Sequence, residues 1–466
     1  MIISGKCEFI PYRVHKLQGN DIAIIAEDLN AWAIVDADEL NILKDYLTKS
    51  AALYLDEMPE SLKQLWEAGL LTFNGHGPNK TIKVKEIFPS SLLIKLTGSC
   101  NMSCKYCYDY DLLRCMSNVG FEKIKQSIDY LLQNRDNLCI VFHGGEPLLR
   151  FDVIKKTVEY INIEWGGKQV NFQMQTNGLL LNDEIISFLE THNISVGLSL
   201  DGITEETNVF RRFHDGKSSL KRFAKIIENY SDFIRNRCGI LTVVSKTNIK
   251  HIANFALWLQ DQGVYNLSLT FLDQSGKGEM TKEYIVESHE AIGLFEEFVH
   301  LIVNGNINKL NLTPILSRIS NLYQFYPKDF CHKGPCAAFD DFLVLDSEGN
   351  FRTCDCIYHP FFEIGNEIEK TGAMAQTRKN ILERHIWLKK DHLYCKNCAL
   401  FSFCGGTCAS KSIAANGDPY SIHTTDCAIS QFFFPKLLNE FAYSEKKPLL
   451  NYFNIHKAKH KITEEQ

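Results

Sequence analysis

Several features are missing from this 466-residue chain, and each absence excludes a class of function. No apolar run approaches the roughly 18 residues that a bilayer-spanning helix needs, so no membrane segment is expected. Met1 to Lys16 has no basic flank ahead of an apolar core, so no secretory signal is read there and a cytoplasmic setting is expected. Positive charge is not in excess: 50 Lys and Arg stand against 56 Asp and Glu, a net charge of -6. That balance argues against a nucleic-acid groove as the main business. Nor are the 16 cysteines spread like a disulfide scaffold; most fall in two dense groups. Without a secretion signal, such groups read as metal ligands in a reducing compartment. The remaining composition is that of an ordinary globular protein long enough for two to four domains.

The first group is Cys100-Asn-Met-Ser-Cys104-Lys-Tyr-Cys107, a C-x3-C-x2-C run. An iron–sulfur cube takes thiolate ligands on its irons, and three thiolates this close leave one iron open to a small molecule. Three structural cysteines, or part of a zinc knuckle, would also meet the spacing. Four further motifs follow in order: Phe142-His143-Gly144-Gly145-Glu146-Pro147, Gln175-Thr176-Asn177-Gly178, Gly197-Leu198-Ser199-Leu200-Asp201-Gly202, and Arg211 with Arg212 beside it. Together they resemble the signature of radical S-adenosylmethionine (radical SAM) enzymes. The resemblance implies that Tyr106 is the aromatic residue preceding the last cluster cysteine. It implies that Gly144, Gly145, Glu146 and Pro147 hold the amino end of the methionine through backbone and carboxylate. Gln175 and Asn177 join the cofactor-binding set, Ser199 and Asp201 end the strand whose serine reaches the cofactor, and Arg211, or its neighbour, pairs with the cofactor's carboxylate.

Periodicity divides the chain into regions. In residues 1–75, segments 9–17, 21–29 and 31–35 read as strands, and 40–48 and 59–69 as helices. Leu62, Leu65, Trp66 and Leu70 recur at helical spacing, and the segment ends in Gly69 to Phe73, which reads as a wing strand. This layout resembles the PqqD-like recognition element of ribosomal-peptide modification systems, which implies a leader peptide added as an extra strand at the sheet edge. A winged helix that only caps its neighbour or binds another partner has the same layout. Asn74 to Lys80, with two glycines and a proline, reads as a loop.

Residues 88–275 alternate strands and helices, which implies a parallel sheet with right-handed crossovers. The expected strands are 91–96, 138–142, 169–175, 194–200, 239–244 and 266–271. The expected fold class is therefore α/β, and the six units match the partial (β/α)6 barrel of radical SAM enzymes. The motifs fall at strand C-terminal ends, where barrel sites sit. Residues 276–330 read as a helical connector, 331–440 as a cysteine-rich domain, and 441–466 as a polar tail with no assigned role.

The second group, Cys395-x2-Cys398-x5-Cys404-x3-Cys408 with Cys331, Cys336 and Cys354 before it and Cys427 after, resembles the SPASM pattern. That resemblance implies two auxiliary [4Fe–4S] clusters, one on Cys331, Cys336, Cys354 and Cys408, the other on Cys395, Cys398, Cys404 and Cys427. Two zinc ions on the same eight thiolates are the structural alternative. Cys7, Cys115, Cys139, Cys238 and Cys356 are left over. Asp355 directly follows Cys354, as in anaerobic sulfatase-maturing enzymes, where an aspartate at this point is the proposed proton acceptor; a solvated turn aspartate is the plain alternative.

The whole resembles SPASM peptide maturases of the sactisynthase and ranthipeptide-synthase kind. The expected function is hydrogen abstraction from a ribosomally made precursor peptide and installation of an oxidative crosslink, with a Cys thioether as the expected bond. Oxidation of Cys or Ser to formylglycine is the alternative. The implied cofactors are three [4Fe–4S] clusters and S-adenosylmethionine. The implied partners are the leader-bearing precursor and an electron donor such as flavodoxin or ferredoxin.

Overall fold

The computed structural model describes residues 4–28, 31–50, 52–78, 88–323, 336, 338, 342–369 and 371–464. Cys331 therefore lies outside the described residues. Runs such as Ser-Leu-Leu-Ile-Lys at Ser91–Lys95, buried at every position, are what a parallel strand covered on both faces requires. Helix Phe121–Asn134 supplies such cover by turning Ile124, Ile128, Leu131 and Leu132 inward.

Among the described residues, the main sheet has ten strands. In spatial order they are Asn311–Leu312, Asn266–Phe271, Cys238–Val244, Ser195–Ser199, Gln169–Thr176, Asn137–His143, Ser91–Lys95, Phe342–Leu345, Phe351–Arg352 and Glu363–Gly365. The first eight run parallel, and the last two pair antiparallel. All six expected barrel strands are present within a residue or two of their expected bounds.

Three of the regions hold elements that the sequence reading did not expect. The segment expected to be a helical connector contributes Asn311–Leu312 to the sheet edge beside Asn266–Leu267, between helices Ser288–Val303 and Thr313–Tyr323. The cysteine-rich region is not a separate layer: its strand Phe342–Leu345 pairs with Ser91–Ile94 and extends the barrel sheet beyond its first strand. The expected polar tail is a docked helix, Pro448–Glu464. Leu449, Tyr452 and Phe453 recur at helical spacing and are buried, and the Tyr452 hydroxyl accepts from the Leu312 amide at 2.9 Å. Lysine-rich composition near the end masked that short apolar stripe. Among the described residues, no helix is long and apolar enough to cross a membrane.

At the N-terminus, Tyr12–Lys16, Asp21–Ala26 and Trp32–Asp36 form an antiparallel sheet, followed by helices Ala37–Lys49 and Glu60–Glu67. Pro11 interrupts the expected strand 9–17, since it lacks a backbone donor, and Cys7–Phe9 pairs instead with the wing Leu71–Phe73. The central strand faces two cores. Ile24 and Ala26 pack with Leu40, Leu43, Leu62, Leu65 and Trp66, while Ala23 and Ile25 join the large core of the molecule.

Candidate active site

The first cysteine loop begins where strand Ser91–Lys95 ends, and it is stitched to its neighbours on three sides. Gly145 and Glu146 amides donate to the carbonyls of Thr97 (2.7 Å) and Ser99 (2.9 Å). This approach needs glycine: a Cβ on Gly144, at φ +113°, would stand 2.5 Å from the Thr97 carbonyl oxygen, and one on Gly145 would stand 2.2 Å from that of Ser99. On the second side, the Ser103 amide donates to Arg212 O (2.8 Å) and the Lys105 amide to Phe210 O (3.0 Å). On the third, the Lys277 amide donates to Cys107 O at 3.0 Å.

Glu146 is fully buried. Its carboxylate accepts from the Leu148 amide (3.1 Å), the Thr176 hydroxyl (2.6 Å) and the Asn177 amide (2.9 Å). Burial pushes its pKa up, and these donors pull against that rise. The Asn177 side chain in turn donates to Asn101 Oδ1 at 2.7 Å, inside the cysteine loop. Gln175 donates to Ser199 Oγ at 3.0 Å. The expected motifs thus converge on one end of the barrel.

A second buried set joins Tyr106, Asp201 and Arg211. The phenol donates to Asp201 Oδ2, whose other oxygen accepts from the Val243 amide at 3.0 Å. Arg211 donates to the Tyr106 oxygen at 3.2 Å. Arg212 turns the other way: its Nε donates to Val209 O at 2.9 Å and its guanidinium lies 3.8 Å from Glu205 on a partly exposed face. Of the two adjacent arginines, Arg211 faces the cysteine loop.

The C-terminal region inserts Asp355 into the same end. The Tyr108 hydroxyl donates to Asp355 Oδ2 at 3.1 Å and lies 3.2 Å from His143 Nε2. His143 Nδ1 accepts from the Gly144 amide at 2.7 Å, which assigns the ring proton to Nε2. Burial lowers the His143 pKa, so the ring is neutral at pH 7. Lys95, buried at the end of its strand, pairs with the Asp109 carboxylate and donates to the Asp355 carbonyl at 2.8 Å. Tyr358 is flanked by Arg114, Arg352 and Lys95, whose charged ends lie 3.9, 4.3 and 4.8 Å from its ring centre. Cys356 directs its thiol at Asp355 Oδ1 from 3.5 Å. Lys95, Tyr108, Asp109, His143 and Lys277 were not among the expected site residues. His143 carried a sequence signal by lying inside the Phe142–Pro147 motif, and Lys95 as a charge closing a mostly apolar strand.

None of the fifteen described cysteines is in a disulfide. Cys336 and Cys354 pack around one small core with Phe361, Phe362 and Ala409. Burial, with Cys408 and Cys354 facing it, pushes the Cys336 thiol up to about 12. Cys395, Cys398 and Cys427 surround a second core with Leu388, Phe401 and Ile422. Cys404 is raised by burial and by Cys398, Cys395 and Cys427. In the barrel mouth, burial likewise pushes Cys100 and Cys107 up to about 12. Cys408 and Cys354 thus lie near Cys336, and Cys398, Cys395 and Cys427 near Cys404, while Cys331 is outside the described residues. Partly buried, all-sulfur donor sets fit thiolate-ligated iron–sulfur groups, which would displace the thiol protons on binding.

A model of the radical SAM superfamily matches residues 94–259. An uncharacterized protein of Methanocaldococcus jannaschii is 32% identical over 267 residues, covering 56% of this chain and 84% of the relative. The chain belongs to the radical SAM superfamily. It is an enzyme, and its relatives include maturing enzymes. The cysteine-type anaerobic sulfatase-maturating enzyme of Clostridium novyi is 26% identical over 378 residues, covering 76% of this radical SAM chain and 97% of the relative. The subtilosin biosynthesis protein AlbA of Bacillus subtilis is 24% identical over 396 residues, covering 79% and 81%. Among solved structures, anSMEcpe with bound AdoMet superposes with a TM-score of 0.63 at 20% identity, over 78% of this chain and 100% of that one. Streptococcus suis SuiB bound to S-adenosylmethionine superposes with a TM-score of 0.53 at 15% identity, over 90% and 100%. Both share the fold.

Proposed function

We propose that this radical SAM enzyme is a peptide maturase that installs an oxidative crosslink, a Cys thioether, in a ribosomally made precursor peptide. The sheet formed within residues 1–75 carries the choice of a leader-bearing peptide, and one observation in the barrel carries the oxidation step that both readings share. The barrel mouth that gathers Cys100, Cys104 and Cys107 also receives Asp355 from the cysteine-rich region, hydrogen-bonded to Tyr108 at 3.1 Å. Cys100, Cys104 and Cys107 would hold a [4Fe–4S] cluster. Arg211, Ser199, Asn177 and the Gly144–Pro147 backbone would orient S-adenosylmethionine. Bound together, these groups supply a 5′-deoxyadenosyl radical able to take hydrogen from unactivated carbon. Asp355 would accept the proton that an oxidised substrate side chain releases. Tyr108 and His143 aim its carboxylate, and Lys95 anchors its backbone. The remaining cysteine sets, one completed by Cys331, would hold two further [4Fe–4S] clusters.

Residues 1–75 would receive the leader. The outer strands Tyr12–Lys16 and Trp32–Asp36 are each paired on one side only among the described residues, which leaves edges for strand addition. A cytoplasmic setting and a flavodoxin- or ferredoxin-type electron donor complete the proposal, supported by the absence of disulfides among the described cysteines.

Formylglycine formation is the second reading, favoured by the adjacency of Asp355 to Cys354 and by the similarity to sulfatase-maturating enzymes. Mass spectrometry on peptides with and without a leader separates the two. Loss of two hydrogens with sulfur retained, and dependence on the leader, is the expected result. Conversion of cysteine to an aldehyde with equal turnover of leaderless peptide would overturn the crosslink reading.

A further inference from the structure

Arg384, on helix Thr371–Lys390, is only 4% exposed, yet no carboxylate lies within ion-pair distance of it among the described residues. Its guanidinium donates to three carbonyls: Pro419, Gly406 at 3.2 Å and Ser421 at 3.4 Å. Gly406 is the middle of an unusual turn in which Gly405, Gly406 and Thr407 all have left-handed backbone, at φ 64°, 81° and 71°. That turn joins Cys404 to Cys408, which belong to different proposed ligand sets. Burial pulls the Arg384 pKa down, and Cys408, Cys336, Cys395 and Asp418 beside it oppose that fall, so both cysteine sets lie near the guanidinium.

A buried guanidinium without a negative partner is costly. The protein retains this one and spends its donors on neutral carbonyls, at the seam between two groups of thiols. Anionic, thiolate-ligated clusters on either side would supply the missing countercharge. We propose that Arg384 is the cation shared by the two auxiliary iron–sulfur sites, a positioning residue that holds the Cys404–Cys408 turn and raises the reduction potential of both sites. The proposal rests on the assignment of iron–sulfur clusters to those two cysteine sets. The direction follows from charge, because a fixed positive charge favours the more negative, reduced state, and net charge is one of the levers on cluster potential.

Arg13 provides an internal control. It reaches from the N-terminal sheet and donates to Cys395 O (2.7 Å) and Cys398 O (2.9 Å), both in one ligand set. It also has an acid nearby, Glu27 at 3.6 Å. Arg13 should therefore act on one site, and Arg384 on two.

The test is an EPR-monitored redox titration of the full-length reconstituted holoenzyme, with iron and zinc measured on the same samples. In Arg384→Gln, both auxiliary midpoints should fall. At the wild-type midpoint the reduced-to-oxidised ratio should drop about tenfold, equivalent to about 59 mV for a one-electron couple. Arg384→Lys, which keeps the charge, should restore most of the shift, and Arg13→Gln should move only the site on Cys395, Cys398, Cys404 and Cys427. Unchanged midpoints in Arg384→Gln with full iron, or a shift confined to one site, would overturn the proposal. If Arg384→Gln fails to retain iron, Arg384→Lys decides: midpoints near wild type support the charge role, and a fall of both midpoints despite the retained charge overturns it. Wild-type protein with about four irons per chain, or with zinc, would instead refute the cluster assignment.

Discussion

The two cysteine-rich places in this molecule are built in opposite ways. In the barrel mouth, three ligands sit within one short loop, and neighbouring strands hold that loop by hydrogen bonds that involve no metal: Glu146 to Thr176 and Asn177, Asn177 to Asn101, Tyr106 to Asp201 and Arg211. In the C-terminal region, the cysteines come from segments far apart in the chain and border two small apolar cores, and among the described residues Arg384 has no carboxylate partner. The first place is preformed by the fold. On the proposed cluster assignment, metal binding in the second place would add ties between segments far apart in the chain, and its loss should be felt by the fold.

The largest expected effect tests that contrast directly. Replacing Cys100, Cys104 and Cys107 together by alanine should remove about four of about twelve irons and abolish 5′-deoxyadenosine formation, while the melting temperature barely moves. Replacing Cys395, Cys398, Cys404 and Cys427 by alanine should lower the melting temperature sharply. Equal destabilisation by the two sets would erase the distinction between a preformed and a metal-built site.

Next in size is Asp355→Asn, which keeps the shape of the side chain but removes its basicity. Product formation should fall about 10²- to 10⁴-fold, the usual range for loss of a general base, with substrate-free cleavage of S-adenosylmethionine retained. Undiminished product would reduce Asp355 to a turn residue.

Lys95→Met probes the joint between the two places, since Lys95 belongs to the barrel and its carbonyl partner to the cysteine-rich loop. Removing one member of a buried pair should cost about 3–5 kcal/mol in denaturant unfolding, because Asp109 is left charged and unpaired. Asp109→Asn in the same background should recover part of the loss; no recovery would assign the effect to packing.

The smallest expected effect separates two neighbours. Arg211→Ala should weaken S-adenosylmethionine binding about tenfold or more, in line with roughly 1.5–3 kcal/mol for a charge-assisted hydrogen bond, and leave iron unchanged. Arg212→Ala should leave the dissociation constant as it is, because that side chain folds back onto Val209. The reverse pattern would exchange their roles.

The barrel mouth was legible in the sequence because its parts are local. Spacing alone brought out Cys100, Cys104 and Cys107, and strand ends brought Glu146, Asn177 and Asp201 to the same side. The links from Tyr108 and Lys95 to Asp355 were not legible. They join residues 247 and 260 positions apart, and their meeting depends on strand Phe342–Leu345 pairing in register with Ser91–Ile94. Asp355 itself was found only through its adjacency to Cys354. Arg384 gave no signal, since nothing in its neighbours marks a buried arginine on an otherwise polar helix. Asn311–Leu312 is too short to show a strand period.

The central strand of the N-terminal sheet has a practical consequence for engineering. Ala23 and Ile25 sit in the large core, Trp32 packs edge-on against Phe441 at 5.1 Å, and the Trp32 indole donates to Leu322 O at 2.8 Å. A cut in the loop after Phe73 would sever the polypeptide and leave that contact surface intact. The module therefore cannot be lifted off and replaced like a cartridge. A chimera meant to read a foreign leader would have to keep the inward-facing residues of this sheet and redesign only its edges, or else carry along the matching face of helix Thr424–Tyr443.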